Sequence, residues 1–164
     1  MNEKTEPYVV DRTGWNPGPW EGEPDRVDFE HAGLPCLMLR HPWYGNWCGY
    51  AAVPPGHPLY RAAIYPDIEV HGGLTYAHLC GGYICHVPKP GEPDNVFWFG
   101  FDCGHIMDYQ PGLEAIELSM RIQPMQSAGI LKEVYRDAQY VRGQVQDLAE
   151  QLAAWTGDKT NQAA

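Results

Sequence analysis

Five short apolar runs, each closed by glycine or proline, occupy the first two thirds of the chain: Cys36–Arg40, Trp47–Val53, Ile68–Tyr76, Gly82–Val87 and Val96–Asp102. Short runs bounded by turn residues are the pattern of strands in a mostly antiparallel sheet. From Leu113 the period changes. Leu113–Ile122 reads as a short helix stopped before Pro124. From Ile130 to Trp155, apolar residues recur in steps of three and four through Val134, Tyr135, Ala138, Val141, Val145, Leu148 and Leu152. That spacing lays one stripe along a single helix. Lys132, Glu133, Arg136, Arg142, Asp147 and Glu150 fall mainly off it. The predicted fold is α+β, a mostly antiparallel sheet of about five strands with a long C-terminal helix packed across one face.

Residues 1–30 carry Asn16-Pro17-Gly18-Pro19 and Glu23-Pro24, with Trp15 and Trp20 around the first cluster. Proline fixes φ and removes a donor, so this Pro/Gly-rich arm is expected to be neither helix nor central strand. Its tryptophans imply that it packs onto the body of the domain. The polar segment 157–164 reads as a frayed tail. The whole of 1–164 is expected to form a single domain.

Side-chain alternation nominates a site. Along Phe97–Asp102, the three phenylalanines share one face and Trp98, Gly100 and Asp102 the other. Along Glu69–Tyr76, the alternation puts Glu69, His71, Gly73 and Thr75 together. Glycine inside a strand marks a bulge or a close approach. If these strands adjoin, His71, Thr75, Trp98 and Asp102 line one pocket, and His105 and Asp108 reach it from the loop that follows. On this reading Phe99 belongs to the core, whereas His71 and Asp102 face the pocket and tolerate substitution. The competing reading is structural, with glycines serving sheet coiling and Asp102 tying down a loop.

Charge narrows the chemistry. With 21 acidic against 11 basic residues, the formal charge is −10. That excludes a sequence-independent grip on duplex nucleic acid and docking on an anionic membrane. Mean hydropathy is −0.42 and Met1 leads into polar residues, so a cytoplasmic protein without a membrane span is expected. Between residues 62 and 120 the only Lys or Arg is Lys89. Aromatic side chains are plentiful, among them Trp43, Tyr44, Trp47, Tyr50, Tyr76 and Trp98. Base stacking is therefore easier to support than a polyphosphate cradle.

The five cysteines, at 36, 48, 80, 85 and 103, are expected to be free thiols. Cys80-x4-Cys85-His86 and Cys103-Gly-His105 contain zinc-type ligands but lack the short-spaced pairs of a zinc knuckle. Neither a metal nor a cofactor is expected. A thiol nucleophile at Cys48 or Cys103 is disfavoured, because reactivity needs a contact that spacing does not supply.

Val70-His-Gly-Gly-Leu-Thr-Tyr76 and Trp98-Phe-Gly-Phe-Asp-Cys-Gly-His105, followed by Tyr135-Arg-Asp137 and Tyr140-Val-Arg142, resemble an uncharacterised family of small bacteriophage and prophage accessory proteins. The similarity runs from about Gly45 to about Leu152 and leaves out the N-terminal arm. It implies a setting in the bacterial host cytoplasm and an anti-defence role, and it transfers no catalytic residue. The leading expectation is capture of a small nucleotide-like ligand by His71, Thr75, Trp98, Asp102, His105 and Trp47. In its enzymatic version, His71 and His105 act as acid and base and Asp102 orients one of them. The rival is a protein-binding inhibitor of a host enzyme, acting through an acidic, aromatic surface. Either reading leaves room for a homo-oligomer.

Overall fold

A computed structural model describes residues 7–124 and 132–157. Its five-stranded sheet contains β1 (Arg26–His31), β2 (Leu34–Arg40), β3 (Trp47–Val53), β4 (Tyr76–Leu79) and β5 (Phe97–Asp102). The spatial order is β1-β2-β3-β5-β4, and every neighbouring pair is antiparallel. Two helices follow, α1 (Pro111–Ser119) and α2 (Ala138–Ala153). The architecture is α+β, with α2 packed on the sheet. Among the described residues, no helix is long and apolar enough to cross a membrane.

The central strands are buried on both faces. On the α2 side, Met38, Ala51, Val53 and the three phenylalanines of β5 meet Val141, Val145, Leu148 and Leu152. On the other side, Leu37, Leu39, Tyr50, Ala52, Val96 and Trp98 form a second cluster. At Gly49 a Cβ would lie 2.5 Å from both Phe101 Cζ and Val145 Cγ2, so this glycine lets α2 sit close to the sheet.

Several boundaries depart from the hydrophobic pattern. The arm supplies an edge strand: beyond Pro24 nothing blocks pairing, and β1 joins β2 through Ala32 and Gly33, both at positive φ. Ile68–Tyr76 is not a strand. Gly72 and Gly73 sit at φ +69° and +80° and turn the chain, so pairing begins only at Tyr76. Gly82–Val87 is not a strand either. Gly81 and Ile84 exchange backbone hydrogen bonds in a tight turn, and a Cys80–Cys85 disulfide closes it. That bond corrects the expectation of five free thiols: Cys36, Cys48 and Cys103 are free and buried, while Cys80 and Cys85 are paired.

The C-terminal helix is shorter than its stripe. Asp137 caps it by accepting the Tyr140 N–H at 2.8 Å, and Val134 instead bridges to Asp108. An Asp side chain that binds the free N–H groups of a first turn favours starting the helix there. The expected start at Ile130 and the frayed tail after Gly157 lie outside the described residues.

One buried cation ties these pieces together. Arg40, fully inaccessible at the end of β2, uses all five N–H donors. Nε donates to Asp25 at 2.7 Å, Nη2 to Glu23 and Pro24 O, and Nη1 to Gly45 O and Tyr135 Oη. Its guanidinium lies 4.5 Å from the Trp47 ring centroid. Glu23 in turn accepts from Trp47, from Tyr135 and from the Ala138 N–H at the start of α2. Burial works to raise the Glu23 carboxyl, but the bonds from Tyr135, Ala138, Arg40 and Trp47 outweigh it and hold it low. Asp25 is depressed likewise: burial raises it, and the Val10 N–H, Arg12 and Arg40 together lower it.

Carboxyls with depressed folded-state pKa values contribute stability that is full above their unfolded values and is lost as pH falls through the folded ones. Near pH 7, Arg40→Met should cost about 3–5 kcal/mol, because it leaves the half-buried Glu23 carboxylate without a cation and the buried Asp25 with Arg12 alone. In urea denaturation the gap to wild type should narrow steadily below about pH 5, as both carboxyls protonate. A gap independent of pH would show that the carboxylates do not depend on Arg40.

Candidate functional site

β3, β5 and β4 place Tyr50, Gly100 and Tyr76 in register across the sheet. A Cβ on Gly100 would lie 2.3 Å from Tyr50 Cδ1, so the missing side chain admits that ring over β5. Tyr50 and Tyr76 meet edge to face at 5.4 Å. They form one wall of a cavity of about 570 Å³ at the end of the sheet. Its polar lining comes from His41, Asn46, Thr75, Asp102 and Gln110, and Tyr44 adds a third phenol.

Asp102 ends β5 with its side chain one-third exposed. Oδ1 accepts the Gly104 N–H at 3.0 Å and Oδ2 accepts the Thr75 hydroxyl at 2.9 Å. His41 follows β2 and stacks on Tyr44 at 4.7 Å. Its Nδ1 accepts the backbone N–H groups of Trp43 and Tyr44, which leaves the ring proton on Nε2. Burial lowers its pKa, against the pull of the Asp102 charge, so the ring is neutral near pH 7. Asn46 is buried, and its Oδ1 has no hydrogen-bond partner among the described residues.

His71 and Asp108 form a tie behind this cavity. His71 Nε2 lies 2.8 Å from Asp108 Oδ2, and Nδ1 lies 2.8 Å from Tyr140 Oη on α2. Asp108 also accepts from Arg136 Nε and the His105 N–H. Burial raises its carboxyl, but the bonds from His71, His105 and Arg136 prevail and keep it ionised. His105 stands between the two groups. Its Nε2 is 3.8 Å from Asp102 Oδ1, and its ring is 5.7 Å from that of His71. Gly72 packs so tightly on that nitrogen that a Cβ there would lie 2.0 Å away.

Of the residues nominated by the sequence, Thr75 and Asp102 line the cavity, His105 flanks it, and His71 and Asp108 sit one layer further back. Trp98 and Trp47 do not reach it. Trp98 has the predicted orientation, but Ile84 and Val96 cover that face and the ring is fully buried. Trp47 lies on the α2 side beneath Arg40. His41, Asn46 and Gln110 escaped sequence reasoning because they arrive from the β2–β3 turn and the start of α1. The signal that pointed towards them was Gly45, at φ +77° inside that turn.

Two other chemistries find less support. Burial, with a smaller contribution from the Asp102 charge, pushes the Cys48 thiol up to about 12, and Cys103 is also shifted upward by burial. Neither offers a thiolate near neutrality. Among the described residues, no three His, Cys, Asp or Glu side chains converge as metal ligands. A second cavity of about 380 Å³ beside β1 contains Arg26 and Lys89, but these pair with Asp28 and Glu30.

Comparison of the chain with protein-family models, with curated proteins and with solved structures finds no match.

The geometry separates three substitutions. Phe99→Ala should cost about 3–5 kcal/mol, as large-to-small core changes do. His71→Ala should cost about 2 kcal/mol, because it removes a charge-assisted bond from a buried Asp108. The sequence reading expects His71 to tolerate removal; its bonds to Asp108 and Tyr140 favour the opposite outcome. Asp102→Asn should cost less than about 1 kcal/mol, since the side chain is one-third exposed and an amide oxygen can keep the Gly104 N–H while the Thr75 hydroxyl turns to accept. Urea denaturation of the three variants checks the order. If Asp102→Asn is as damaging as Phe99→Ala, Asp102 is a structural tie rather than a cavity group.

Proposed function

We propose that the protein binds a small, flat, nucleotide-like ligand in the cavity between Tyr50, Tyr76 and Asp102. The observation that carries this reading is the composition of the wall. Phenol rings stand beside acceptors not fully used by the protein, and among the described residues no Lys or Arg lines the cavity. Apolar rings with a few convergent polar groups suit a heterocycle, and the missing cations disfavour a phosphate-dominated grip.

Capture is better supported than hydrolysis. Both ring nitrogens of His71 are committed to Asp108 and Tyr140, and His105 Nε2 is packed against Gly72. Neither is placed to exchange protons with a molecule in the cavity. With the phage-type resemblance, the proposal extends to an accessory protein that sequesters a nucleotide-like signal in a bacterial host.

One observation favours the rival reading, a protein-binding inhibitor. Trp43 is 70% exposed and stands beside a groove lined by Trp15 and Ile116 of α1. An exposed tryptophan next to a groove on an acidic protein is an anchor for a partner.

Mass spectrometry of molecules released by denaturing protein purified from cells separates the two. The proposal expects a near-stoichiometric heterocyclic compound, reduced several-fold in Asp102→Asn. If nothing is released and no base or nucleoside shifts the melting temperature, the cavity reading fails and the partner-binding surface takes its place.

A further inference from the structure

The hydrogen-bonding groups around the cavity are uneven in kind, and the imbalance specifies a ligand edge. An ionised carboxylate offers about four lone-pair sites. Asp102 has spent one on each oxygen, to the Gly104 N–H and the Thr75 hydroxyl. One site therefore remains on each oxygen of a side chain one-third exposed to the cavity. Two parallel acceptors of this kind match two neighbouring N–H donors.

Asn46 points the same way. It is only 3% exposed, it lines the cavity, and its Oδ1 has no donor among the described residues. A buried amide oxygen left unpaired is costly, and since this atom is itself shielded it marks a corner short of a donor rather than a direct ligand contact. Gly104 keeps that corner open. A Cβ at this position would lie 3.2 Å from Asn46 Nδ2, 3.2 Å from Asp102 Oδ1 and 3.3 Å from Gln110 Oε1. His41 supplies the complement. With Nδ1 occupied by two backbone N–H groups, its Nε2–H is the donor available to an acceptor on the ligand.

Resting on the cavity reading above, the geometry points to a guanine-type ligand: a flat ring whose ring N–H and exocyclic amino group bind Asp102, and whose adjacent carbonyl is taken by His41. Adenine presents an acceptor at the ring nitrogen where the Asp102 carboxylate offers only acceptors. Hypoxanthine keeps the ring N–H and the carbonyl but lacks the exocyclic amino group. A guanidinium shares the paired donors but has neither the carbonyl nor the ring faces that suit Tyr50 and Tyr76. Since no cation lines the cavity among the described residues, added phosphates contribute little.

Calorimetric titration of the full chain with guanosine, inosine, adenosine, guanosine triphosphate and arginine amide tests this without any variant. Guanosine should bind at least tenfold more tightly than inosine or adenosine and more tightly than arginine amide, and the triphosphate should be no tighter than guanosine. Asp102→Asn, with its fold checked by circular dichroism, should erase the preference for guanosine over inosine. Equal binding of guanosine and inosine, or preference for adenosine, overturns the edge assignment while leaving the cavity as a nucleoside site. Tighter binding of arginine amide overturns the ring. Much tighter binding of the triphosphate overturns the phosphate-independent grip. No binding by any of the five overturns the edge assignment, and with no shift in melting temperature for any base or nucleoside the cavity reading falls as well.

Discussion

A guanidinium buried at the end of β2 is the constraint on which the other parts converge. Removing an ionised group from water costs several kcal/mol unless its charge is paired and its donors are satisfied. Arg40 meets both conditions only when four separate stretches arrive together: Glu23-Pro24-Asp25 of the arm, the Gly45 turn, Trp47 of β3 and Tyr135 ahead of α2. An arginine fork is directional, so each arrival is fixed in angle as well as in distance. A proline-rich arm with little regular structure is thereby held against the sheet. The Ala138 N–H, bound to Glu23, brings the start of α2 into the same network.

The cavity inherits this order. Between Arg40 and Trp47 the chain makes one turn, closed by His41 N–H to Asn46 O and Gly45 N–H to His41 O, with Arg40 holding Gly45 O from inside. His41, Tyr44 and Asn46 all project from that turn. The Gly112 N–H binds Tyr44 O and so attaches α1 to it. Structural ties and ligand-facing groups therefore alternate along a few residues. The distinction between them is one of spent and unspent hydrogen-bonding capacity. Arg40 and His71 commit every side-chain nitrogen within the protein and Asp108 accepts three bonds there, whereas Asp102 and His41 retain groups that a ligand can satisfy.

Much of this was legible from residue types. The alternation in Phe97–Asp102 puts the three phenylalanines on one core-facing side, which the structure shows to be the α2 side, and β2, β3 and β5 lie close to the apolar runs. Glycine was read as a mark of close approach, and Gly100 beneath Tyr50 is such a case. Other features depended on contacts far apart in sequence. Trp98 reads as a ligand-facing aromatic until Ile84, held in the turn that the Cys80–Cys85 disulfide closes, joins Val96 in covering it, and the path of that turn over the sheet has no local signature. His71 reads as a pocket group until Tyr140, 69 residues away, takes its second nitrogen. The helix start at Asp137 was hidden because Val134 and Tyr135 continue the apolar stripe while belonging to a bridge and to the Arg40 network.

The central claim is that Arg40 holds the wall from which the cavity groups project. Amide hydrogen exchange on wild type and Arg40→Lys tests it most directly, since lysine keeps the charge but loses the planar five-donor fork. The account predicts that protection falls first and most at His41, Gly45, Gly112 and Ala138, while Ala51 and Phe99 in the sheet centre keep theirs. Uniform loss across the molecule, or an unchanged turn between Arg40 and Trp47, would contradict it.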